Sequence, residues 1–118
     1  MAFTGVATIK KVAENLFRIT GLSLAAGAAG TISVDAGAGE VKLDAPEWGG
    51  YDTAGQQGGA VTLADAIQVE VVSADAAGTA VEDVAVVKTG TLPADFLATL
   101  TNKDVAASGA LEIYVRYH

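Results

Sequence analysis

The chain has 118 residues, enough for one domain with one core; 51% are hydrophobic, but twenty-four residues are Ala and only seven are aromatic. It contains no Cys, which excludes disulfides and thiolate metal sites, and its single His is the last residue, His118. Fourteen acidic against seven basic residues give a net charge of −7, a balance that repels phosphate backbones and argues against nucleic-acid binding.

The first predicted strands are Gly5 to Val12 and Asn15 to Gly21, in which apolar and polar side chains alternate with period two. Leu22 to Gly30 reads as an Ala/Gly connection. A strand at Thr31 to Asp35 and another at Glu40 to Asp44, joined by Asp35-Ala-Gly-Ala-Gly39, are expected to form a hairpin. Residues 45 to 60 form one long loop holding Pro46, Trp48, Tyr51 and five glycines, a length that in a compact domain usually signals function or mobility.

Strands resume at Ala60 to Leu63 and Ile67 to Ser73; Asp75-Ala-Ala-Gly78 turns the chain, and Val81 to Lys88 is the next strand. Pro93 to Leu100 carries Phe96, Leu97 and Leu100 at helical spacing, which predicts at most one short helix near 93–100. The closing strand, Ala110 to Tyr117, sets Leu111, Ile113, Val115 and Tyr117 against Glu112, Tyr114 and Arg116. About eight short strands separated by turns predict an all-β, two-sheet antiparallel β-sandwich of jelly-roll type, one domain over residues 1–118.

Charge is unevenly spread. Lys10, Lys11 and Arg18 face only Glu14 in the first eighteen residues, whereas four basic residues face thirteen acidic ones in the rest. A basic N-terminal edge on an acidic body can steer docking onto an acidic partner; lysines on an edge strand also discourage aggregation. Residues 1–11 therefore read as a docking arm or an edge strand. The longest uncharged stretch, Ile19 to Val34, has sixteen residues broken by Gly, Ser and Thr, which does not fit a membrane span. Its apolar run also begins too far into the chain for a leader peptide.

Catalytic patterns find little support. Gly21-Leu-Ser-Leu-Ala25 resembles a nucleophile elbow without its last Gly, but that motif needs a strand-to-helix turn and a downstream base, and His118 is the sole candidate. Asp35, Glu40, Asp44, Glu47 and Asp52 cluster in sequence, yet no spacing sets two of them across a sugar, and no Ca²⁺-loop pattern is present. Gly37-Ala-Gly39 lacks the third Gly of a dinucleotide fingerprint. No enzyme activity, cofactor or metal is expected. Trp48 and Tyr51 on their Gly-rich loop can cap the core, contact a partner or stack on sugar rings; Tyr114 and Tyr117 lie on opposite faces of the last strand, so one of them is expected to point outward, where it can reach a neighbour.

The run Phe17-Arg-Ile-Thr-Gly-Leu-Ser-Leu-Ala-Ala-Gly-Ala-Ala-Gly-Thr-Ile-Ser-Val34, the Thr/Ala-rich middle and the ending Ala110-Leu-Glu-Ile-Tyr-Val-Arg-Tyr117 together resemble small virion proteins of tailed bacteriophages. Size and acidity are most similar to head decoration, or cement, proteins. That resemblance implies a noncatalytic structural protein on the phage capsid surface. It implies a homo-oligomer, a trimer before other states, that binds the major capsid protein and stabilises junctions between subunits, with no membrane or nucleic-acid partner. The surfaces expected to make contact are Phe3, Lys10, Lys11, Arg18, Trp48, Tyr51 and Tyr114. A carbohydrate-binding or adhesion module, or a tail or neck component, are the alternatives that share the fold and composition.

Overall fold

The computed structural model describes residues 3–13, 16–34, 38–43, 67–81, 83–90 and 96–117. Eight strands lie among them: β1 (Phe3–Ala13), β2 (Leu16–Leu24), β3 (Ala29–Val34), β4 (Val41–Leu43), β5 (Ile67–Val72), β6 (Val84–Thr89), β7 (Leu97–Asn102) and β8 (Leu111–Tyr117). They form two four-stranded sheets, ordered β1-β2-β8-β5 and β4-β3-β7-β6. The chain is all-β, and the sheets close face to face as a sandwich.

Alternation builds the core. Ile19 and Leu24 of β2, Leu111, Ile113 and Val115 of β8, and Ile67 of β5 meet Ile32 and Val34 of β3, Leu43 of β4 and Ala98 and Leu100 of β7, all essentially inaccessible. Each fully buried Val, Leu or Ile contributes about 1.5–3 kcal/mol. Phe96, which precedes β7, and Phe3, which opens β1, add the aromatic volume. The Phe3 ring lies directly on Gly30, where a Cβ would collide with it.

Three local readings are corrected. Thr31 to Asp35 and Glu40 to Asp44 do not form a hairpin, because β3 and β4 run parallel, with Ile32 beside Val41 and Val34 beside Leu43. Parallel neighbours usually need a crossover of about a dozen residues or more, yet here only residues 35–40 intervene. The return is held by side chains of β3: Ser33 Oγ accepts the Gly39 amide at 2.9 Å and Thr31 Oγ1 accepts the Glu40 amide at 3.0 Å. The pair breaks the all-antiparallel expectation. The last strand, β8, lies between β2 and β5.

Residues 97–100 belong to a strand, not a helix. Hydrogen bonding to β3 on one side and β6 on the other overrides the helical spacing, and Ala98, Leu100 and Asn102 point inward. The connection at 22–30 is shorter than expected: β2 continues to Leu24, and the chain turns where the Ala28 amide meets the Ala25 carbonyl at 3.0 Å. The turn after β5 forms as its residues predict, with Asp75 Oδ1 accepting the Ala77 and Thr79 amides at 2.9 and 2.8 Å. The strand expected at Ala60 to Leu63, Pro93, and the long loop with Trp48 and Tyr51 lie outside the described residues.

One polar knot ties the sheets together at the end where β2 and β7 finish. Asn102 is fully buried; its Nδ2 donates to the carbonyls of Leu24 at 3.2 Å and Ala106 at 3.0 Å, and its Oδ1 accepts the Asp104 amide at 3.0 Å. Ser108 Oγ accepts the Leu24 amide at 2.7 Å.

The β1–β2 pairing slips between Gly5 and Thr8, where Gly5 and Gly21 adopt φ of 98° and 89°. A Cβ on Gly21 would run into the Val6 carbonyl oxygen. Gly21→Ala is expected to destabilise the protein by about 2 kcal/mol or more through strain and clash. A lowered urea midpoint at unchanged slope is the expected result; an unchanged midpoint would show that the bulge tolerates a side chain.

Candidate functional site

Two surfaces stand apart from the core. The first is β1, the edge of its sheet, which pairs only with β2 among the described residues. Of its eleven residues only Phe3 is buried and Ala7 partly so. Val6 is 84% exposed, Ile9 41% and Val12 44%, an unusual display of aliphatic side chains on one strand. Lys10 and Lys11 are exposed between them. The strand is fastened at its start, where the Phe3 ring enters the core and the Phe3 amide donates to Glu40 Oε2 at 3.2 Å.

The second surface is the outer face of the same sheet. Register places Lys10, Arg18, Tyr114 and Glu70 in one row across β1, β2, β8 and β5, and Leu16, Arg116 and Gln68 in the next. These residues share the outward face because their strand neighbours Phe17, Ile19, Ile113 and Val115 are buried. The Tyr114 hydroxyl donates to Glu112 Oε2 at 2.8 Å, and Arg18 Nη2 lies 3.4 Å from the same oxygen. The Tyr114 hydrogen bond, then the Arg18 charge, hold the Glu112 carboxyl below its ordinary pKa. Beside this trio an open groove of about 600 Å³ is lined by Leu16, Gln68, Val69, Glu70, Lys88, Tyr114 and Arg116.

The expected contact residues thus divide. Lys10 and Arg18 face each other on adjacent strands and share a row with Tyr114, while Lys11 is exposed beside them, opposite Phe17. Phe3 is at odds with a contact role, because its side chain is consumed by the protein's own core. Trp48 and Tyr51 fall outside the described residues, as does His118. Of the five clustered carboxylates only Glu40 is described, and it serves the Phe3 amide. Among the described residues no group of three His, Cys, Asp or Glu side chains is arranged to hold a metal, and no helix is long and apolar enough to cross a membrane.

Sequence reasoning missed the groove residues Leu16, Gln68, Glu70 and Arg116. Alternation marked Gln68, Glu70 and Arg116 as lying on the polar faces of their strands. Which strands are neighbours, and in what register, is a long-range property that periodicity does not carry. No protein-family model, curated protein or solved structure matches this chain.

Because Glu112 is held ionised by its partners, its stabilising contribution is present above the unfolded-state pKa and fades as the pH falls through the lowered folded value. Tyr114→Phe removes the larger cause. The Glu112 pKa should then rise toward the ordinary carboxylate value in an NMR titration of the side-chain carboxyl, and an unmoved titration would reassign the depression to Arg18.

Proposed function

We propose that the protein is a noncatalytic structural module that fastens onto a larger assembly through β1. The observation that carries this reading is the combination on one edge strand of three exposed aliphatic side chains, two lysines and an open line of backbone donors and acceptors among the described residues. Such an edge can accept a strand from a partner, and its positive charge on an acidic chain favours an acidic docking surface.

In this reading the assembly is a virion. The resemblance in sequence style to phage head proteins makes the partner the major capsid protein. The role is that of a decoration or cement protein, seated on the outside of the capsid as a homo-oligomer, with a trimer favoured, and reinforcing subunit junctions. Modest contacts suffice for such a clamp, because contacts made in several copies at once multiply through effective concentration. The rigid sandwich behind β1 supports the same role, as its connections are pinned by Asn102 and Ser108.

The test is co-sedimentation of the purified protein with capsid shells of the same virus, with oligomer mass measured by light scattering. Saturable binding at a symmetry-related copy number is expected. Lys10→Glu combined with Lys11→Glu should weaken it by about tenfold or more, with the fold unchanged because both side chains are exposed. Failure to bind shells would overturn the virion reading, and full binding by the double variant would remove β1 from it.

A further inference from the structure

We propose that the open groove on the outer face of β2, β8 and β5 is a binding site for a neutral oligosaccharide chain, with Tyr114 as its stacking ring. This inference is independent of docking through β1.

The groove's chemistry selects the ligand class. Tyr114 sits on β8, an interior strand flanked by β2 and β5. Its hydroxyl is tied to Glu112 two residues along the same strand, so the side chain leans along β8, and the ring is presented in a fixed orientation. An aromatic face held in this way is suited to the C–H face of a pyranose. Around it stand Gln68, Glu70 and Arg116, all exposed. Arg116 only donates hydrogen bonds, ionised Glu70 only accepts them, and the Gln68 amide does both. A ligand that satisfies all three carries many groups that both donate and accept, which is the property of a polyol.

Charge favours a neutral ligand. Arg18 and Glu112 are paired at 3.4 Å. Arg116 and Glu70 are opposite in sign. The Lys88 ammonium, also in the lining, is engaged with the Ile67 carbonyl at 2.7 Å. A phosphate or sulfate ligand would meet the Glu70 carboxylate. Shape favours a chain over a single sugar, since the groove is open and its lining comes from β2, β8, β5 and, through Lys88, β6.

The experiment is a two-dimensional amide NMR titration of the full protein. The probes are neutral hexasaccharides of glucose (α- and β-linked), mannose, xylose and N-acetylglucosamine, with hexagalacturonate as the anionic comparison. At least one neutral probe should give saturable shifts concentrated on residues 68–70 and 112–116. Tyr114→Ala should weaken that binding by about tenfold or more, Tyr114→Phe, which keeps the ring but loses its tie to Glu112, should weaken it less, and Lys42→Ala, exposed on the opposite sheet, should leave it unchanged. Gln68→Ala and Arg116→Ala alter exposed side chains only and should each weaken it, so the test stands even if Tyr114→Ala fails to fold. No saturable shift with any neutral probe, binding of hexagalacturonate alone, shifts centred elsewhere, or wild-type affinity in Tyr114→Ala, Gln68→Ala or Arg116→Ala would overturn the proposal.

Discussion

The structure depends on the face-to-face closure of β2 and β8 over β3 and β7. These four strands carry most of the inaccessible core, from Ile19, Leu24, Leu111, Ile113 and Val115 on one sheet to Ile32, Val34, Ala98 and Leu100 on the other. Closure makes the chain cross between sheets, and where β2 ends the Leu24 backbone is buried. An unsatisfied buried group costs about 1–3 kcal/mol, so the end where β2 and β7 finish needs its own hydrogen-bonding partners. Asn102 and Ser108 supply them, meeting the Leu24 backbone on both its amide and its carbonyl. A polar pair thus does at the end of the sandwich what apolar alternation does along it.

With the core satisfied by the inner strands, β1 is left nearly free of structural duty. Phe3 anchors it over Gly30, and the pairing with β2 holds the rest. The exposed Val6, Ile9 and Val12 do not contribute to the fold in proportion to their apolar surface. The irregularities near Gly5 and Lys11 are of the kind that protect sheet edges from indiscriminate pairing. A strand with aliphatic and basic side chains and a bulged, selective edge is suited to a defined partner. The outer face of the same sheet differs in kind: most of its groups are polar, of both charges, and mounted on β2, β8 and β5.

Much of the fold was legible because period-two alternation is a local signal. β1, β2, β5 and β8 lie close to the segments that alternation marked, and Asp75 and Gly78 announced their turn. Direction and context were not legible. Val41 and Leu43 alternate identically in a parallel or an antiparallel strand, so the β3–β4 pairing depended on Ser33 and Thr31 gripping the return. Phe96, Leu97 and Leu100 fit a helix until two neighbouring strands supply hydrogen bonds to the backbone from Leu97 onward. For the site, charge marked the lysines of β1, while alternation set Tyr114 and Tyr117 on opposite faces of the last strand without deciding which is outward. The burial of Phe3 could not, because it follows from the missing side chain of Gly30 on another sheet. The groove was invisible for the same reason, being made by register between β2, β8 and β5.

The central claim is that β1 is the docking edge. The most direct measurement is amide hydrogen exchange, resolved by residue, on the protein alone and on the protein bound to capsid shells. The account predicts that amides of β1 pointing away from β2 exchange rapidly in the free protein and become protected on the shell, while the core amides of β8 are unaffected. Bound protein whose β1 amides exchange as in the free state would contradict it.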